Sequence, residues 1–99
     1  MVEIRWLKEA RDDLRNIHDF IAQDSKVYAS RQIDKIFSKA QILKTQPHLG
    51  HLVEELNDPE IRELLEGRYR IIYRVLSDNR VDILMIHHSS RDLTRRFKA

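Results

Sequence analysis

Hydrophobic residues in the first half of the chain recur every three or four positions, as on the buried face of an amphipathic helix. A first stripe consists of Leu7, Ala10, Leu14, Ile17 and Ile21. A second stripe runs from Ala29 to Leu43 and stops before Pro47 and Gly50, which favour a turn. Because only a short connection around "DS" at 24–25 separates the stripes, the sequence predicts an antiparallel helical hairpin.

Alternation between apolar and polar residues predicts β-strands on both sides of this hairpin. The predicted strands cover residues 2–6, 61–67, 69–75 and 81–88, with 51–56 as a short strand or an extended loop. A helical hairpin must bury its apolar stripe, and a sheet is the partner available. We therefore predict one α+β domain over residues 1–99. Its N-terminal strand precedes an antiparallel helical hairpin packed on one face of a mostly antiparallel sheet of about four strands, and a short C-terminal helix or mobile tail follows.

The segment YRIIYRV, residues 69–75, has two chemically different faces. One face is apolar and aromatic and carries Tyr69, Ile71, Tyr73 and Val75. The other carries Arg70 and Arg74 on either side of Ile72. If the first face packs against the helices, the second faces away from them. We therefore expect part of the sheet's second face to be open and cationic, with arginines that are dispensable for folding.

The charge of the chain is unevenly distributed, although its net value is only +2. Residues 1–60 carry a net charge of −2 and residues 61–99 a net charge of +4, and eight of the nine cations in the second segment are arginines. Arginine favours fork-like contacts with phosphate or carboxylate. The excess is typical either of a solvated surface or of a face that binds a polyanion. The chain has no cysteine and no long apolar run, so we expect a cytoplasmic protein without a membrane segment.

His87 and His88 are the clearest candidates for chemistry. Adjacent strand residues point to opposite faces, so the pair is a poor metal chelator. The outward histidine, beside Arg70 and Arg91, could act as a general base, or it could simply bond to backbone at the end of a strand. We expect the remaining histidines at the surface, and we expect no metal or cofactor because the chain lacks a Cys/His pattern and a glycine-rich phosphate loop. The aromatic residues expected in or beside the core are Trp6, Tyr28, Phe37, Tyr69 and Tyr73.

Three segments behind the predicted hairpin, "PHLG", "IRELLEGRYRIIYRV" and "VDILMIHHSSRDL", make the chain resemble the RelE/ParE superfamily of toxins from type II toxin–antitoxin modules. The resemblance extends from Ile4 to Leu93. It implies a small toxin that is neutralised by a cognate antitoxin and serves functions such as plasmid stabilisation. ParE-like members inhibit DNA gyrase, whereas RelE-like members are metal-independent endonucleases that cleave mRNA on the ribosome.

The same resemblance favours the ParE-like branch. Arg70 and Arg91 match arginines that the ribonucleases use, and His87 or His88 could stand in for a catalytic histidine. However, the lysines common on the preceding strand of the ribonucleases are replaced here by Ile61 and Glu63. A tyrosine or histidine in the C-terminal tail is also missing. We therefore expect DNA gyrase as the target, with ribosome and mRNA as the alternative. The residues expected to bind the target or the antitoxin are Arg62, Arg68, Arg70, Arg74, Arg91, Arg95 and Arg96.

Overall fold

The computed structural model describes residues 1–97, so Lys98 and Ala99, the end of the predicted tail, lie outside the described residues. The elements, in chain order, are β1 (Glu3–Trp6), α1 (Lys8–Ala22), α2 (Lys26–Gln41), β2 (His51–Leu52), β3 (Ile61–Glu66), β4 (Tyr69–Ser77) and β5 (Arg80–His88). Short 3₁₀ helices span Ile42–Lys44 and Leu93–Phe97. The α+β prediction is confirmed, and the tail forms the second of these short helices.

The sheet has five strands in the order β1-β5-β4-β3-β2. β1 runs parallel to β5, and the other neighbouring pairs are antiparallel. The sheet is therefore one strand wider than the predicted four, because the first strand and the two-residue β2 both join it. Within residues 1–97, no helix combines the length and the apolar character needed to cross a bilayer.

The helical hairpin forms where the two stripes predict it. Ser25 caps α2: its Oγ accepts a hydrogen bond of 3.1 Å from the backbone N–H of Tyr28, which satisfies one of the free donors at the helix start. The hairpin packs on one face of the sheet, where Ile36 and Leu43 meet Ile71 and Tyr73 of β4 in a buried cluster. The predicted helix-facing side of β4 is thus confirmed.

The aromatic residues are only partly where we expected them. Tyr73 is fully buried, and Trp6 stacks on Phe37 with ring centroids 5.8 Å apart. Tyr28, however, is 68% exposed, so its assignment to the core is wrong. It lies beside the turn of the helical hairpin, where a residue can follow the helical period without meeting the sheet.

The second face of the sheet is not open at its centre, contrary to our expectation. Ile72 is fully buried there and belongs to a second apolar cluster with Val53, Ile61, Met85 and Leu93. The chain on either side of Val53 and the 3₁₀ helix Leu93–Phe97 cover this cluster. Two short segments therefore cover the second face of the sheet, as the helical hairpin covers the first.

An irregularity in β5 decides which of its side chains reach each face. Ile72 pairs with Met85 but Tyr73 pairs with Ile83, so Leu84 is an extra residue on β5. After this bulge, Ile86 contacts the helix-side cluster and Met85 contacts the second cluster. The bulge therefore sets the directions of the two histidines that follow.

Gly50 lies where two parts of the chain approach too closely for a side chain. Its backbone N–H donates a 2.9 Å hydrogen bond to the hydroxyl of Tyr73. A Cβ atom at this position would lie 2.5 Å both from that hydroxyl and from the carbonyl oxygen of Glu63. The glycine of "PHLG" is therefore required by packing as well as by the turn.

Candidate functional site

Arg70 is held by two glutamates on the second face of the sheet. Its Nε donates to Glu63 Oε1 at 2.7 Å, and its Nη1 donates to Glu55 Oε2 at 2.7 Å. Its Nη2 donates to both residues at 2.9 Å. These bonds form two bidentate pairs, the strongest geometry available to a guanidinium.

The Arg70–Glu63 half of this double ion pair is largely shielded from solvent, whereas the side chain of Glu55 is 32% exposed. The side chain of Arg70 is 11% exposed and that of Glu63 is 5% exposed. Hydrogen bonds from Arg70 lower the pKa of Glu55 to about 2, and the two carboxylates raise the pKa of Arg70. Contrary to the prediction, Arg70 therefore does not face solvent. Its bond to Glu55 ties the segment that follows β2 to the sheet.

Two further predicted site residues are also engaged within the molecule. Arg74 Nη1 binds Asp58 at 3.2 Å and Glu60 at 3.0 Å, with about a third of the arginine side chain exposed. Arg62 Nη1 donates to the carbonyl oxygen of Gly50 at 2.8 Å. The arginines of β3 and β4 thus fasten the connections that surround β2 to the sheet.

Arg96 connects the C-terminal 3₁₀ helix to α1 and to β5. Its Nη2 donates to Glu9 at 2.7 Å and to Asp13 Oδ2 at 2.9 Å, and its Nη1 lies 3.4 Å from the carbonyl oxygen of Ile86. Asp13 Oδ2 also accepts a 2.9 Å hydrogen bond from the backbone N–H of Ile86. Asp13 and Arg96 therefore bind the backbone N–H and carbonyl oxygen of Ile86, at the edge of β5 beyond the point where β1 ends. Burial opposes the charge on Arg96, but the two carboxylates outweigh burial and raise the pKa of its guanidinium.

The two histidines point to opposite faces, as predicted. His87 is buried on the second face; its Nε2 lies 3.0 Å from the carbonyl oxygen of Arg91, and its Nδ1 lies 3.5 Å from Arg96 Nη1. With Nε2–H donating to that carbonyl, Nδ1 carries the lone pair and faces a cation. His88 packs edge-on against Tyr69, and Ser90 binds its Nδ1 through both its N–H and its hydroxyl.

A cleft of about 710 Å³ opens between α1, the end of β5 and the C-terminal segment. Ile17, Phe20 and Tyr69 contribute apolar and aromatic surface to it, and Arg91 and Arg95 contribute charge. Both arginines are exposed. The predicted site residues are therefore divided: some stabilise the fold, and others remain at the surface around this cleft.

Comparison with known proteins supplies the family. Residues 4–93 match the model of the ParE toxin of type II toxin–antitoxin systems, parDE. The chain is 30% identical over 91 residues to the Toxin RelE2 of Caulobacter vibrioides, covering 92% of this chain and 99% of that protein. The chain belongs to the ParE toxin family.

A solved structure from a chromosomal ParDE toxin–antitoxin system of P. aeruginosa has the same fold as this toxin. The TM-score is 0.73 at 23% sequence identity, with 89% of this chain and 96% of the other covered. The predicted superfamily and the extent of the resemblance, Ile4 to Leu93, are thus confirmed, and the protein is a toxin of a type II module.

The sequence analysis missed the carboxylates of the toxin that hold these arginines, namely Glu55, Glu63, Glu9 and Asp13. For Glu63 a signal existed, because β3 places it on the same face as Ile61, directly opposite Ile72 and diagonal to Arg70. Glu9 and Asp13 gave no such signal, since Asp13 and Arg96 are 83 residues apart in the chain. Among residues 1–97, no group of three His, Asp or Glu residues is arranged to hold a metal ion.

Proposed function

We propose that this toxin acts as a binding inhibitor of DNA gyrase, the activity that its resemblance to ParE-like toxins implies. This target would place the toxin in the cytoplasm. The supporting observation is the state of Arg70, whose Nε, Nη1 and Nη2 atoms all donate to Glu55 and Glu63. An arginine held by two carboxylates has little capacity left to stabilise a phosphorane-like charge during RNA cleavage.

The histidines support the same conclusion. A general base needs a free lone pair within reach of the hydroxyl that it deprotonates. In His87 that lone pair faces the guanidinium of Arg96, and in His88 Ser90 occupies Nδ1. The remaining member of the predicted ribonuclease set, Arg91, is exposed at the cleft.

The alternative function is that of a RelE-like ribosome-dependent mRNA endonuclease. Two observations favour it: the similarity to Toxin RelE2, and the direct pairing of Arg70 with His87 across β4 and β5. This alternative requires the carboxylates around Arg70 to be displaced when RNA binds.

One pair of assays separates the two functions. Purified toxin is added to gyrase with relaxed plasmid, and in parallel to translating ribosomes with a defined message. We expect gyrase to introduce no supercoils in the first reaction, and we expect the message to remain intact in the second. Cleaved message together with undisturbed supercoiling would reverse the proposal.

Single substitutions in the histidines provide an independent check. His87→Gln and His88→Gln variants that retain the parent's circular dichroism spectrum should both remain toxic when expressed without antitoxin. If either folded variant lost toxicity while the parent cleaved mRNA on ribosomes, the endonuclease would become the preferred function.

The proposed antitoxin-binding surface lies beside the hairpin turn. Phe20, Val27 and Tyr28 are large, exposed and adjacent to the hairpin turn, and Phe20 also lines the cleft. An amphipathic antitoxin segment with acidic residues would combine apolar anchors here with the arginines of the cleft. Because such a segment binds only the folded toxin, the melting temperature should rise with antitoxin concentration. A Phe20→Ser/Tyr28→Ser variant should need more antitoxin for the same rise.

A further inference from the structure

The arginines of residues 61–97 fall into two groups according to their partners. Those bound within the molecule are Arg62, Arg70, Arg74, Arg80 and Arg96. The other three are Arg68, Arg91 and Arg95. They are exposed, and within residues 1–97 their guanidinium groups have no hydrogen-bond or ion-pair partner. The charge available to an external partner in this region is therefore concentrated in these three residues.

These three arginines project from neighbouring backbone at one end of the sheet. Arg68 lies in the turn between β3 and β4, and its carbonyl oxygen accepts a 2.8 Å hydrogen bond from the N–H of Ser89, just after β5. Arg91 follows Ser89 in the turn after β5, where its N–H donates to the carbonyl oxygen of His88 at 3.1 Å. Arg91 and Arg95 both line the cleft.

The backbone that carries these arginines is well anchored. Gly67 has a φ of 59°, which fixes the turn before Arg68. Leu93 is fully buried, and Asp92 Oδ1 accepts hydrogen bonds from the N–H and the hydroxyl of Thr94, at 3.0 and 2.6 Å. The three exposed arginine side chains therefore extend from fixed backbone positions.

We propose that Arg68, Arg91 and Arg95 form a phosphate-binding surface that contacts the backbone of the duplex DNA on which the toxin's target acts. The choice of duplex DNA as the occupant rests on the proposed function. Duplex DNA carries about one negative charge per 1.7 Å of its axis, so it can meet several separated arginines at once. Arginine and serine side chains are usual phosphate contacts, and the turn after β5 contains exposed Ser89 two residues before Arg91.

DNA binding in the absence of gyrase tests this surface directly. The anisotropy of a short labelled duplex is measured with the full-length toxin between about 50 and 200 mM salt. If three phosphates are contacted, affinity should fall about 40-fold over this range. The Arg68→Ala/Arg91→Ala/Arg95→Ala variant should lose most of this salt dependence, and its melting temperature should remain close to that of the parent.

A control of equal charge separates a specific surface from net charge. Arg11, Arg15 and Arg31 are exposed on α1 and α2 and do not line the cleft. Replacing these three by alanine should leave the salt dependence largely unchanged. Equal losses in both triple variants, or no binding by the parent at the lowest salt, would overturn the inference.

Competition identifies the anion. Poly-glutamate at an equal concentration of charge should displace the duplex poorly, and equal displacement would make this a carboxylate-binding surface and overturn the proposal. The gyrase assay stays independent. Inhibited supercoiling without DNA binding would refute the surface alone, and DNA binding without inhibition would refute the gyrase function alone.

Discussion

The two faces of the sheet are both buried, but by different physical means. On the helix side, α1 and α2 cover Ile71, Tyr73 and their neighbours with apolar side chains. On the second side, the covering segments have little regular structure, and ion pairs from Arg70, Arg74 and Arg96 help to hold them in place. An α-helix satisfies its own backbone and can be held by apolar contact alone, whereas an irregular segment needs additional bonds.

The largest effect should come from removing the central cation of the second face. Arg70→Ala removes both of the arginine's hydrogen bonds to the buried carboxylate of Glu63, so we expect unfolding free energy to fall by about 3–5 kcal/mol. Urea unfolding at neutral pH measures this loss. Arg74→Ala is the matched control, because its carboxylates are more exposed and the loss should stay below about 1 kcal/mol. Equal, small losses in both variants would show that the second face is open after all.

The next effect compares the apolar layers directly. Ile71 and Ile72 are adjacent in β4, fully buried, and face opposite clusters. Truncation to alanine should cost about 2–5 kcal/mol at either position, because each leaves a cavity in packed surroundings. A silent Ile72→Ala alongside a damaging Ile71→Ala in the same unfolding experiment would mean that the second cluster adds no stability.

A smaller effect should separate two neighbouring arginines of the C-terminal 3₁₀ helix. Arg96→Ala removes a donor from half-buried Asp13 and should cost about 1–3 kcal/mol. Arg95→Ala should change stability by less than about 0.5 kcal/mol, because its side chain is exposed. Hydrogen exchange of the Ile86 amide reports the same difference locally, since Asp13 accepts its hydrogen bond. Unchanged protection of that amide in Arg96→Ala would contradict the role given to Arg96.

The smallest effect concerns acid. The pKa of Glu55 is lowered to about 2 by Arg70, so the bond stabilises the fold above the ordinary glutamate pKa and is lost as pH falls through about 2. Because Glu55 lies at the surface, we expect only about 1 kcal/mol from it. The parent should therefore be more stable than Glu55→Gln at neutral pH, and the difference should shrink towards zero as pH falls through about 2. A stability difference independent of pH would show that charge on Glu55 plays no part.

The same comparison shows how far the sequence could lead. The helical stripes and the alternation of YRIIYRV correctly predicted the hairpin and the helix-facing side of β4, because regular structure repeats its burial pattern. Alternation could not show whether Arg70 meets water or glutamate, because Glu55 lies in a segment without period. The extra residue Leu84 was equally hidden, since a bulge leaves the residue types of a strand unchanged. The sequence predicted the exposed arginines around the cleft as site residues. It could not distinguish them from the ion-paired arginines, because that distinction depends on the distances between side chains in the folded protein.

The position of β1 has a consequence for folding during synthesis. β1 is the first strand made, yet its neighbour is β5, with Glu3 opposite Arg80. The clamp between Asp13 and Arg96 spans 83 residues. Contacts between such distant parts of a chain form late, because closing a long loop costs entropy before it is rewarded. The sheet of a nascent toxin therefore cannot be completed until nearly the whole chain has been made, and β1 stays without its strand partner for most of that time.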